Sequence, residues 1–281
     1  MLDQPAAQLP VDQLMEDLLA RARRSYPAVA LDVIEEGMRH LTAYQHRWYA
    51  EWYLNRLDTV HALGSPELLR ETARHLAVRM AFEDVICVAR AGVRAKDGEP
   101  VEITGLFKAG IEQIAAILSP AWARRLLAWG ERTGRLGNTY FTMHVPSTTV
   151  LGFLRLRLVA GLQSWRPNTY RFAEEQAEID RWLEQIRSAG RTNVDLAREI
   201  AECARLIKGY GDTYKRGLAN YRRITAEVIE PALAWRMTPR SAADAVASAR
   251  VAALADPEGE TLSKTLAAVA AAAPVLRHAA E

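Results

Sequence analysis

The chain has 281 residues, 49% apolar and 25% charged, which suits a folded protein that buries a sizeable core without covalent staples. Its 36 basic and 34 acidic residues leave a formal charge of +2, too even a balance for the concentrated basic face that nucleic acid requires. The two cysteines, Cys87 and Cys203, fit reduced thiols in a cytoplasm; the opening residues lead us to expect no export signal, and no apolar run reaches the length of a membrane span.

The apolar pattern predicts a mainly α, multi-helix, bundle-like fold with at most a small two-stranded β ribbon. Pro10–Arg24 reads as a first amphipathic helix. From Ala28 to Leu63 the residues Ile34, Met38, Leu41, Trp48 and Trp52 follow a 3.6-residue period, and Gly37 is the expected place for this segment to loosen into two helices. Ser65 is placed to cap a new helix with Pro66 in its first turn, running to about Ala89 with Leu69, Leu76 and Met80 inward. A break rich in glycine and charge, Ala91–Pro100, comes next. Val101–Thr104 and Tyr140–Val145 alternate like short strands and are expected to pair around the helices Lys108–Leu118 and Ala121–Gly134.

Thr148–Trp165 is apolar nearly all round, as in a helix enclosed by others. Tyr170–Ser188 has one inward stripe, Phe172, Ile179, Leu183 and Ile186. Thr192, with Asp195 three residues on, resembles a capping box opening a helix that ends at Lys208. Beyond the Gly209–Asp212 turn, Tyr214, Leu218, Tyr221, Ile224 and Val228 line a helix that Pro231 is expected to close. Thr238–Glu281 reads as two Ala-rich helices. These elements group into an N-terminal extension (1–27), a main helical domain (28–235) and C-terminal helices (236–281).

Three places could carry chemistry. At the turn, Gly209 suits a left-handed helix end and Asp212 suits the cap of the next helix. The turn is either a well-made helical corner or an anion site, the latter using Lys208, Lys215 and Arg216, with Tyr210 and Asp212 beside them. Arg155 has apolar helical neighbours, so it is expected to find a carboxylate, Glu174 or Glu175, or to emerge at an interface. Arg166 and Arg171, with Trp165 and Tyr170, form the aromatic and cationic mixture common at protein interfaces. Several chemistries are excluded by pattern. The chain has no Gly-x-x-x-x-Gly-Lys-Ser/Thr loop, no Gly-x-Gly-x-x-Gly fingerprint, no His-Glu-x-x-His and no Gly-x-Ser-x-Gly elbow. Two distant cysteines cannot hold an iron–sulfur cluster within this chain.

The segment Ala201–Ile224, AECARLIKGYGDTYKRGLANYRRI, resembles the C-terminal helical region of the larger B-type polypeptides of indolepyruvate oxidoreductase, in the 2-oxoacid:ferredoxin oxidoreductase family. The likeness extends through Val145–Leu183, Arg70–Ala89 (RETARHLAVRMAFEDVICVA) and Tyr44–Leu57 (YQHRWYAEWYLNRL), covering roughly Ala28 to Leu254. It implies a part in the oxidative decarboxylation of an aryl pyruvate with coenzyme A, electrons passing to ferredoxin. Thiamine diphosphate, magnesium and iron–sulfur clusters are then expected in partner subunits, with none in this chain. The implied partners are thiamine-diphosphate-dependent subunits and a gamma-type oxidoreductase domain, with no nucleic acid and no membrane. In the family that domain precedes the helical region; here 1–27 is too short for it, so a separately encoded subunit or a C-terminal piece is expected. Tyr214 stands where the family would place an imidazole. Gly211–Asp212–Thr213 only partly echoes a diphosphate–magnesium motif.

Overall fold

The computed structural model describes residues 11–84, 86–87, 104–137, 140–146, 161–209, 211–234 and 238–272. Helices α1 (Val11–Ser25), α2 (Ala28–Tyr44), α3 (Arg47–His61) and α4 (Pro66–Met80) follow one another through short connections. Ser65 caps α4 as expected: its Oγ accepts from the Leu68 N–H at 3.3 Å, and Pro66 opens the first turn. The helix stops at Met80 rather than near Ala89, with Leu69, Leu76 and Met80 all buried.

Gly37 does not divide α2; it lies on the buried face of one continuous helix. A Cβ there would come within 2.8 Å of the Tyr53 Oη and 3.0 Å of the Ala77 Cβ, so the missing side chain lets α2, α3 and α4 approach closely. The break falls instead at Gln45–His46. In an unbroken helix Tyr44 and Tyr49 would stand about 140° apart. The break lets their rings stack at 6.0 Å, and their hydroxyls donate to the Phe82 and Met80 carbonyls at 2.9 and 2.8 Å. Tyr53 donates to the Ala73 carbonyl at 3.0 Å, so each ring is buried with its polar tip satisfied. The same turn leaves Trp48 exposed, not inward.

Strand β1 (Thr104–Gly110) leads into α5 (Ile111–Ile117) and α6 (Pro120–Arg132), followed by β2 (Tyr140–Pro146). The strands pair antiparallel from Thr104↔Pro146 to Gly110↔Tyr140, which is the expected ribbon with its first strand displaced along the chain. Lys108–Gly110, read as helix, is strand; α5 starts at Ile111, where the Gly110 N–H donates to the Gln113 side chain at 2.8 Å. The rest of the predicted first strand, and the enclosed helix expected over Thr148–Trp165 as far as residue 160, lie outside the described residues. Gly161–Ser164 and Arg166–Asn168 are short 3₁₀ turns.

In α7 (Tyr170–Gly190) the stripe Phe172, Ile179, Leu183 and Ile186 is buried as predicted. The cap of α8 (Val194–Glu202) is Asn193, not Thr192: its Oδ1 accepts from the Asp195 and Leu196 N–H groups at 3.1 and 3.2 Å. Thr192 instead donates back to the Ala189 carbonyl. A 3₁₀ turn at Cys203–Leu206 then ends the helical run short of Lys208.

Helix α9 (Asp212–Ile224) continues through a π turn, Thr225–Ile229, into α10 (Glu230–Leu233). Pro231 therefore does not close it. The proline falls where the π turn passes back into α-helical register, which shifts the bonding pattern at the residue that lacks an N–H. The Ala-rich pair is present as α11 (Pro239–Ala255) and α12 (Glu260–Ala272).

The chain is thus mainly helical, and it clusters into two compact units. One takes Met1–Phe82 with Ile179–Glu281; α4 packs there on α2 and α8, and α11 on α8 and α12, around Leu41, Leu57, Leu76 and Ile200. The other, Glu83–Glu178, holds the ribbon and the α5–α6 hairpin around Ile111, Ala115 and Ala123. These cuts differ from the sequence grouping at 27 and 235. No helix among the described residues is long and apolar enough to cross a membrane.

Candidate functional site

The corner between α8 and α9 is built on two glycines, Gly209 and Gly211, with φ of 80° and 63°. Side chains strain in that left-handed region, so the corner depends on glycine there. Gly211 is itself the residue before the first helical turn, which places Asp212 one position too late to cap. The expected Asp212 cap is therefore absent; its exposed carboxylate suits the positive helix end only through the dipole. Lys208 and Lys215 are exposed, and Arg216 lies 3.5 Å from the Glu258 carboxylate. Tyr210 lies outside the described residues.

The other predicted cations belong to the Glu83–Glu178 unit. Arg166 is fully buried and grips Asp84 with two nitrogens, Nε to Oδ2 at 2.6 Å and Nη2 to Oδ1 at 3.1 Å. The same Oδ1 accepts from the Cys87 N–H at 2.7 Å, and the Cys87 Sγ lies 3.5 Å from Arg166 Nη2. Burial, and then the Asp84 charge, push the Cys87 thiol up, so it is a poor nucleophile. Arg171 pairs with Glu175 at 2.6 Å. Arg155, for which Glu174 or Glu175 was the expected partner, lies outside the described residues.

A charged cleft of about 440 Å³ between α4, α8 and α11 was not found from the sequence. The spacing of Glu67, Glu71 and Arg74 on α4 is visible in the chain, but the pairing of α4 with α8 is not. His75 Nε2 lies 3.2 Å from Glu202 Oε1 and 4.0 Å from Glu71 Oε2. The three ligand atoms fall within 4.8 Å of one another, as a metal site would require. Yet Glu71 already pairs with Arg74 at 3.0 Å, and Glu202 with Arg205 at 3.1 Å and Arg250 at 3.8 Å. Arg250 also pairs with Glu199 at 2.5 Å. A cation would have to displace these guanidinium charges, so the cleft is an ion-pair network fastening three helices.

Burial alone would raise the Glu202 carboxyl, but hydrogen bonds from His75 and then Arg205 hold it below the usual glutamate value. A carboxyl depressed in the folded state adds stability that is full above the unfolded value of about 4.3. That contribution is lost as pH falls through the lower folded value. The melting temperature is therefore expected to drop on acidification below about pH 4.3, and Glu202→Gln to flatten that limb. A thermal-denaturation series from neutral to acid pH checks this.

Arg79, one turn beyond His75, is the least explained charge among the described residues. It is 4% exposed, and Nε, Nη1 and Nη2 find no hydrogen-bond partner there. Its guanidinium lies 5.3 Å from the Trp182 ring and 5.9 Å from the Tyr221 ring. Cation–π attraction offsets only part of the cost of five unmet donors. Arg56, also buried, fares better: it hydrogen-bonds Asp180 at 2.7 Å and stacks on Trp52 at 4.1 Å. Arg79→Met keeps the unbranched apolar stem of the side chain and removes the unmet donors. It is expected to raise stability by about 1–2 kcal/mol in urea unfolding. A lowered midpoint would show that the ring contacts outweigh desolvation.

The fold and these sites define a helical protein whose conspicuous charges are largely spent on internal pairing. The chain belongs to the Family of unknown function (DUF6537), whose model matches residues 30–227. No curated protein and no solved structure matches it.

Proposed function

We propose that this chain is a helical, non-catalytic component of an indolepyruvate-type 2-oxoacid:ferredoxin oxidoreductase, acting in the cytoplasm. It braces partner subunits that carry thiamine diphosphate, magnesium and iron–sulfur clusters, together with a gamma-type domain. The observation that carries the reading is the likeness over roughly Ala28 to Leu254.

The chain's own thiols do not fit a cluster. Cys203 is fully buried, and desolvation pushes its thiol up to about 12. Cluster ligands must be thiolates, four of them for the common types. The alternative, a free-standing module for anions or phosphate-bearing coenzymes, has less support: Arg166 and Arg171, two of the cations it would recruit, are committed to Asp84 and Glu175.

Co-expression with the thiamine-diphosphate and iron–sulfur subunits of such an enzyme tests the reading. A stable complex by size exclusion is expected, together with a purified chain that alone is colourless and inactive toward aryl pyruvates. Failure to co-purify overturns it.

A further inference from the structure

Four large apolar side chains of the Glu83–Glu178 unit stand exposed among the described residues: Ile117, Trp122, Trp129 and Trp165. All lie on α5, α6 or the turn tied to them. Trp122 and Trp129 are seven residues apart on α6, so they emerge on one side of it, offset by only about 20°. The buried contacts of α6 are Ala123 and Gly130, also seven apart. Small residues thus seat the helix along one stripe and leave the indoles on the next. Trp165 is fixed at the end of α5, its Nε1 donating to the Ile117 carbonyl at 3.2 Å. In the other unit the exposed apolar residues, Val29, Trp48, Val78, Val194 and Val251, each sit on a different helix and form no such stripe. Clustering, not exposure alone, marks an interaction surface.

The charge on α6 selects the occupant. Arg125 lies over the Trp122 ring and Arg135 over the Trp129 ring, each at 5.2 Å. Neither they nor Arg124 and Arg132 has a carboxylate ion pair among the described residues, and Glu131 is the one acid on the helix. This differs from the cleft of the other unit, where arginine after arginine meets a glutamate. Trp, Tyr and Arg are the residues that most often dominate protein interfaces, and a cationic face is matched by a partner of opposite charge.

We propose that α6 is a docking helix whose partner is a protein surface with an apolar groove rimmed by carboxylates. The inference does not require the oxidoreductase reading. Its test is the full chain, immobilised and used to select from a displayed library of random peptides. The enriched peptides are expected to combine apolar residues with Asp and Glu. They should bind W122A/W129A about 100-fold more weakly than wild type. R125E/R135E should also lose them, while W48A, which removes an exposed tryptophan of the other unit, should retain them. Far-UV circular dichroism checks that each variant folds; R125E/R135E keeps both indoles should the double-alanine chain fail.

Four results overturn the proposal. The first is no enrichment, or peptides indifferent to both α6 variants. The second is a dimer by light scattering that W122A/W129A abolishes, which assigns the helix to a second copy. The third is sedimentation with phosphatidylcholine–phosphatidylglycerol vesicles that the same variant abolishes, which assigns it to a lipid surface. The fourth is resistance of Trp122 and Trp129 to N-bromosuccinimide in the free chain, which means the protein itself covers them. Peptide selection that succeeds while co-purification with oxidoreductase subunits fails would remove the proposed function and leave the docking helix standing.

Discussion

Arg166→Ala is expected to destabilise the chain by about 3–5 kcal/mol, among the largest effects of any single substitution here. The cause is what the change leaves behind. Arg166 is fully buried and Asp84 nearly so, and the guanidinium satisfies both carboxylate oxygens at 2.6 and 3.1 Å. Without it a largely buried carboxylate is left with Cys87 alone as donor and no counter-charge. Asp84→Ala/Arg166→Ala removes both charges together and is expected to recover a good part of the loss. Urea unfolding of the two single variants and the double variant gives the coupling directly. A single variant within about 1 kcal/mol of wild type, by that measurement, would mean that water reaches the site.

Gly217→Ala comes next, and its sign is the informative part. On helix propensity alone, alanine in place of glycine gains about 1 kcal/mol. Here a Cβ would lie 2.0 Å from the Leu206 carbonyl oxygen and 3.1 Å from its carbon. Both are backbone atoms, so no side chain can swing aside, and α9 must lift from the 3₁₀ turn Cys203–Leu206. A net loss of about 2–3 kcal/mol is expected in thermal or urea unfolding. Gly130→Ala in α6 is the control: the nearest atoms to its Cβ would be side-chain atoms of Ile111 and Leu136, at 3.4 Å, and the change is expected to be nearly neutral. Stabilisation by Gly217→Ala would show that α9 does not rest on that carbonyl.

Helical content, the inward stripe of α7 and the Ser65 cap of α4 could be read from the chain because each depends on residues three or four apart. The strand ribbon was legible too, though displaced, since alternation places a strand better than it places its ends. Gly37 misled for a related reason. A mid-helix glycine looks like a weakness unless one knows that Tyr53 and Ala77 occupy the space a side chain would need. Of the candidate cations, Lys208, Lys215 and Arg216 are exposed. Arg166 could not be understood without Asp84, far away in the chain.

Local chemistry settled that this chain is helical, where most helices begin, and which stripe of α7 turns inward, because a hydrogen bond from residue i to i+4 and a cap act within one turn. Packing across distant segments settled the rest: the break at Gln45–His46, the joining of Glu202 to His75, the burial of Arg166 and Arg79, and the tryptophan stripe left bare on α6. Those outcomes depend on which helix comes to lie against which. That choice is made by the summed burial of many side chains and leaves no periodic mark in any one segment.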